Sequence, residues 1–250
     1  MKNIVLIIEY DGSKLHGSQK QPIPHIKTVQ GEIENALNKI LLNPTKTTFA
    51  GRTDLGVSAD EMYVNFFTDS DITPEKFQII LNRMLIKEIS IKKSFLGEDK
   101  FNSRYSALKR TYRYILLNSS SRSGVRHNRV GFHHKILDFQ LMKEAWASFL
   151  GKNDFTSFSK ISDRKDPECE IFDTKLEKIN DEFIFYITGD SFMRGMVRLL
   201  IGATILIGEK KLPPNAILDI IQKKDRSLVK YKAPAYGLSL VKIEYPKNYL

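Results

Sequence analysis

Apolar positions along this chain recur with two periods, two and about three and a half, and the switches between them mark out its elements. Asn3 to Ile8 is an Ile- and Val-rich run stopped by Asp11-Gly12, which predicts a strand ending in a turn. Val29, Ile33, Leu37, Ile40 and Leu41 then recur at helical spacing, with Thr28 placed as N-cap and Asn43-Pro44 closing the segment. Two strands follow, Thr47 to Ala50 and Glu61 to Thr68, the second with Met62, Val64 and Phe66 on one face. Thr73 as cap and Pro74 at the first helical position predict a second helix through Phe77, Ile80, Leu81 and Met84, and Ile89 to Phe95 reads as a strand.

The pattern then starts again. Leu108 to Leu117 reads as a strand, and Asp138 caps a helix that turns Met142, Ala145, Trp146 and Phe149 inward. Strands at Lys175 to Ile179 and Phe183 to Thr188, a long helix over Phe192 to Ile207, a short one after Pro213-Pro214 and a last strand at Gly237 to Glu244 complete the chain. Strand, helix, two strands, helix, strand is the split βαβ order of a ferredoxin-like unit, and it occurs twice. The expected fold is therefore α+β, with two ferredoxin-like halves, residues 1–105 and 106–250. Their strands would form a central antiparallel sheet flanked by helices, with a cleft between the halves. The polar segments Asn118 to Asn128 and Gly151 to Glu170 read as loops.

Composition narrows the function classes. With 42% apolar residues among 250, the chain can bury one large core or two fused smaller ones. Lys and Arg outnumber Asp and Glu by 39 to 29, and a formal charge of +10 favours a polyanion, nucleic acid foremost, over the bland alternative of a merely basic soluble protein. Cys169 is the only cysteine, which excludes an intramolecular disulfide and points to a reducing, cytoplasmic setting. The apolar runs Ile4 to Ile8 and Met196 to Ile207 are too short to cross a bilayer.

Candidate chemistry centres on Gly51-Arg52-Thr53-Asp54-Leu55-Gly56, a loop at a strand end that sets a carboxylate and a guanidinium two positions apart between glycines. A neighbouring cation keeps an aspartate ionised, as a nucleophile must be, so Asp54 is a candidate catalyst; the plainer alternative is an Arg52–Asp54 pair that braces a turn. The five histidines show no metal-ligand spacing. Walker, dinucleotide and Gly-x-Ser-x-Gly motifs are missing, so any reaction is expected to run on side chains without metal or cofactor. Lys109-Arg110-Thr111-Tyr112-Arg113-Tyr114 interleaves cations with aromatics, which suits phosphate contacts and base stacking; as a strand it would equally place Tyr112 and Tyr114 in a core. Arg194 and Arg198 fall one turn apart on the helix expected from Phe192, where like charges repel unless an anion lies between them. Gly195 between them suggests close backbone packing.

Seven stretches, in order and along almost the whole chain, carry a resemblance. They are Tyr10-Asp11-Gly12-Ser13 with Gly17 and Gln19; Thr28-Val29-Gln30-Gly31; Gly51-Arg52-Thr53-Asp54 with Gly56-Val57; Tyr112-Arg113-Tyr114; Asp154-Phe155-Thr156-Ser157-Phe158; Met196-Val197-Arg198; and Ala233-Pro234-Ala235 with Gly237-Leu238. Together they resemble the TruA family of tRNA pseudouridine synthases. The resemblance implies that Asp54 is the nucleophile, that Tyr112 stacks on or hydrogen-bonds the target base, and that Arg198 pairs with Asp54, with Arg52 in support. It also implies a homodimer acting on uridines at positions 38 to 40 of the tRNA anticodon arm. Lys109, Arg110 and Arg194 are then candidate RNA contacts. Two departures stand out: Ser58 where a histidine is usual, and Ser18 where tryptophan is common, both expected to bear on RNA binding rather than on bond chemistry. Two rivals remain. One is a catalytically silent tRNA-binding or RNA-folding protein of the same fold. The other is an Asp-dependent glycosidase or nucleosidase, which would need a second carboxylate that is not evident.

Overall fold

A computed structural model describes residues 1–23, 25–159 and 167–249. The chain divides into two compact units, Met1–Lys109 with Ser239–Leu250, and Arg110–Leu238.

In the first unit β1 (Lys2–Tyr10) is central, flanked by β4 (Ile89–Leu96) and β3 (Ser58–Thr68), both antiparallel to it. The short β2 (Thr48–Phe49) pairs antiparallel with β3. The resulting order β4-β1-β3-β2 is that of a ferredoxin-like unit. The C-terminal strand β10 (Leu238–Glu244) joins the start of β3, and this pairing is parallel, Ser239 opposite Ser58.

Two helices complete the unit. Thr28 caps α1 (Val29–Leu41) as its position suggested, its Oγ1 accepting the Gly31 N–H at 3.1 Å. Glu34 of α1 is 6% exposed and accepts from the Thr47 N–H at 3.1 Å and the Thr47 hydroxyl at 3.0 Å, which fixes the chain entering β2. The second helix, α2 (Lys76–Met84), begins two residues later than its Thr-Pro signal, because residues 73–77 first form turns. It buries only Phe77 and Leu81, Phe77 meeting Phe66 of β3 edge-on at 5.3 Å, while Met84 is 42% exposed.

Alternation alone undercounts the core of β3. Met62, Val64 and Phe66 are buried on one face, but Tyr63 and Asn65 are buried on the other. That face is covered by the segment after β4 and by the C-terminal tail: Tyr63 lies 4.8 Å from Tyr245, and Asn65 bonds to Asn3 and to the Ser103 N–H.

The second unit is also a sheet with helices. β9 (Glu182–Gly189) sits between β5 (Lys109–Asn118) and β8 (Glu168–Ile179), antiparallel to both, with β7 (Gly151–Asp154) beyond β8 and β6 (Gly131–His133) parallel to β5. The expected loop at 151–170 thus contains β7, and its residues 160–166 lie outside the described residues. Asp138 caps α3 (Phe139–Ala147) through the Leu141 N–H, and Met142, Ala145 and Trp146 are buried, Trp146 against Phe185 at 5.0 Å.

Helix α4 (Met196–Gly208) is buried on nearly every side, as its almost unbroken apolar sequence requires. It starts later than expected. Gly195 is its N-cap, with φ 73 in the left-handed region, so the glycine ends the loop rather than weakening a helix interior. Arg194 therefore lies before the helix, and the expectation that it faces Arg198 one helical turn away is corrected. A short helix α5 (Ala216–Lys223) follows. The class is mixed α+β throughout. No helix among the described residues is long and apolar enough to cross a membrane.

Candidate active site

Asp54 lies in the loop between β2 and β3. The Val57 N–H donates to the Asp54 carbonyl at 3.1 Å, closing a turn whose third residue, Gly56, has φ 83. Only glycine, or at some cost asparagine, takes that position readily. Behind the turn the loop is gripped by the segment that follows β1. A Cβ on Gly12 would fall 2.1 Å from the Val57 carbonyl oxygen, and one on Gly17 would fall 2.8 Å from the Thr53 carbonyl oxygen. The Gly12 N–H donates to Ser58 Oγ at 3.0 Å, and Ser18 bonds to Thr53 through both its backbone and its hydroxyl. Asp54 itself is half-buried and Arg52 is exposed, in a loop whose backbone is held from behind.

The two departures from the family pattern are thus placed. Ser18 is 1% exposed and bonds to Thr53, and Ser58 bonds to the Gly12 backbone, so both brace the Asp54 loop. Residues 18 and 53 are far apart in sequence, and no local pattern could have paired them.

In the second unit, Tyr112 and Tyr114 of β5 share a face, as strand geometry demands, and both are buried, at 9% and 1% exposure, against different neighbours. Tyr114 is 1% exposed, burial pushes its hydroxyl pKa far up, and Gly131 approaches so closely that a Cβ there would meet the phenol oxygen; it is a core residue. Tyr112 is packed edge-on against Phe192, ring centroids 5.2 Å apart at 85°, which fixes its ring plane. Arg110 donates to the Asp190 carbonyl at 2.6 Å, which ties it to the end of β9; Lys109 is half-buried and Arg194 exposed.

Arg198 is half-buried in the first turn of α4. Its Nε donates to the Ala233 carbonyl at 2.8 Å, and the Ala233 N–H donates back to the Arg198 carbonyl at 3.0 Å. One turn on, Gly202 lets the same segment approach, since a Cβ there would fall 2.1 Å from the Tyr231 carbonyl oxygen. Ala233-Pro234-Ala235 is therefore the brace of Arg198. Asp154-Phe155-Thr156-Ser157-Phe158 is a structural motif: Phe155 and Phe158 are fully buried, the Ser157 hydroxyl donates to the Ile220 carbonyl at 2.6 Å, and Asp154 holds Thr156. Among the described residues no three His, Cys, Asp or Glu side chains gather to hold a metal ion.

Comparison with known proteins bears on what this arrangement serves. A family model described as tRNA pseudouridine synthase matches residues 145–246. The tRNA pseudouridine synthase A of Acetivibrio thermocellus is 40% identical over 247 residues, covering 98% of this chain and 100% of that protein. The protein of the same name from Legionella pneumophila (strain Corby) is 35% identical over 247 residues, 98% of this chain and 94% of its own. A chain in a crystal structure of a Cbf5-Nop10-Gar1 complex overlaps with a TM-score of 0.34 at 13% identity, covering 83% of this chain and 55% of that one, a likeness too slight to bear on the fold. The near full-length match to the curated relatives is sufficient: the chain belongs to the tRNA pseudouridine synthase A family and is a pseudouridine synthase, an isomerase.

Proposed function

We propose that the enzyme isomerises uridine in the anticodon stem-loop of tRNA, at positions 38, 39 or 40, with Asp54 as nucleophile. The observation that carries this reading is the Asp54 loop, whose backbone is held from behind by Gly12, Gly17 and Ser18 while Asp54 itself stays only half-buried. Such a loop holds a reacting group in place without obstructing a substrate.

The target nucleotide leaves its stack, which costs a few kcal/mol, offset by contacts of the basic surface with phosphates. Asp54 then attacks C1′ of the ribose or C6 of the base. The N1–C1′ bond breaks, the base turns, a C5–C1′ bond forms as the bond from Asp54 to C1′ or C6 breaks and frees the carboxylate, and the C5 proton leaves as N1 gains one, so that the reaction is an isomerisation. Tyr112, its ring plane set by Phe192, holds the base. Arg198, anchored on Ala233, pairs with the Asp54 carboxylate, and Arg52 supports the same loop. The half at 1–105 supplies the nucleophile and the half at 106–250 the tyrosine and the arginine, in a homodimer. Lys109, Arg110 and Arg194 contact RNA.

Transcripts that retain a uridine at only one of positions 38, 39 and 40 test the choice of site. Pseudouridine mapped at one or more of these positions and nowhere else is the expected result. Modification confined to another arm would overturn the anticodon assignment.

A further inference from the structure

Thr53, the residue before the nucleophile, has each of its three polar groups held. Its N–H donates to Ser18 Oγ at 2.8 Å, its carbonyl accepts the Ser18 N–H at 3.2 Å, and its hydroxyl bonds to the Tyr10 hydroxyl at 2.8 Å. All three residues are buried, Ser18 at 1%, Tyr10 at 5% and Thr53 at 8% exposure, so water does not replace these bonds when one is removed.

Ser18 is itself fixed. Its carbonyl accepts the Gln30 N–H at 2.9 Å and the Gly17 carbonyl accepts the Val29 N–H at 3.3 Å, which ties it to the first turn of α1. Gly17 reaches this geometry with φ 86, in the region that favours glycine. The helix start, Ser18 and Thr53 thus form one connected chain of hydrogen bonds that ends on the residue bonded to Asp54.

We infer that Ser18, together with Tyr10, is a positioning residue for the isomerisation: by clamping Thr53 it sets where the Asp54 carboxylate stands. The inference rests on the reading of Asp54 as nucleophile. It assigns a function to the serine that stands here in place of the tryptophan common in the family. Neither Ser18 nor Tyr10 touches the substrate; they act through the loop.

A brace that only stabilised the fold would lower the melting temperature and leave turnover of the folded enzyme unchanged. A positioning role appears in kcat. Ser18→Ala, Tyr10→Phe and Asp54→Asn, each in the full chain, are compared with wild type by tritium release from C5-labelled tRNA, well below their melting temperatures, alongside tRNA affinity. Ser18→Ala is expected to lower kcat about ten- to a hundredfold with tRNA affinity unchanged. A kcat within about twofold of wild type would overturn the inference. If Ser18→Ala does not fold, Tyr10→Phe decides, because it releases the Thr53 side chain without disturbing that backbone bond. A reduced kcat at unchanged affinity upholds the clamp and an unchanged kcat refutes it. Wild-type turnover by Asp54→Asn would instead refute the nucleophile, which keeps the two failures apart.

Discussion

Asp154 shows how a single side chain of a family motif works for stability. Burial pushes its carboxyl pKa up, but the Thr156 hydroxyl and N–H and the Lys224 ammonium, at 2.6, 2.9 and 2.9 Å, outweigh burial and hold it below its ordinary 3.8. A carboxyl whose folded pKa lies below its unfolded one stabilises the fold at pH above the unfolded value, and that contribution is lost as pH falls through the folded value. Asp154→Asn is therefore expected to cost about 1–2 kcal/mol at neutral pH, with the difference from wild type narrowing as pH falls below about 4. Denaturant melts of both proteins across that range measure it. A constant difference would mean that the lost contribution is not ionic. At the same scale Asp54 was legible as a candidate from Gly-Arg-Thr-Asp alone, yet only the wider resemblance raised it above an Arg–Asp turn brace. Tyr112 and Tyr114 were indistinguishable by spacing, and what separates them is the neighbour each meets, Phe192 for one and Gly131 for the other.

Among elements, those with local signals were legible and those set by distant contacts were not. Thr28 and Asp138 cap α1 and α3 as read, because a cap is a matter of three or four consecutive residues. The start of α4 was misplaced because apolar periodicity runs through Gly195 into Phe192, whereas the backbone there turns left-handed. β2 was overestimated and β6 missed, since two or three paired residues carry too little pattern. The connection between β1 and α1 is the element that holds the Asp54 loop. Its backbone touches the far end of the Asp54 turn at Gly12, where a methyl group would overlap the Val57 carbonyl. Gly12→Ala is expected to displace that turn, costing about 1–3 kcal/mol of stability and at least about tenfold in kcat. Thermal melts and single-turnover kinetics read the two effects. A variant with wild-type stability and rate would show that the turn is not held from this side.

At the scale of the whole molecule, the order of strands and helices in the first unit was legible from its periodicity, and β4-β1-β3-β2 fits a ferredoxin-like unit. The return of β10 to pair with β3 was not, as nothing local to residues 238–244 specifies a partner strand so far back in sequence. The charge of +10 acts at this scale too. If about six phosphates are neutralised, tRNA affinity is expected to fall by about a thousandfold between roughly 50 and 200 mM salt, as a filter-binding titration would show. A flat response would exclude phosphate contacts as the main source of affinity. The central claim is that this isomerase acts through Asp54. Its most direct test is C5 tritium release from an unmodified tRNA transcript by wild type and by Asp54→Asn. The prediction is release by the wild type and none above background by the variant, with tRNA binding retained by both; equal release by the two would contradict it.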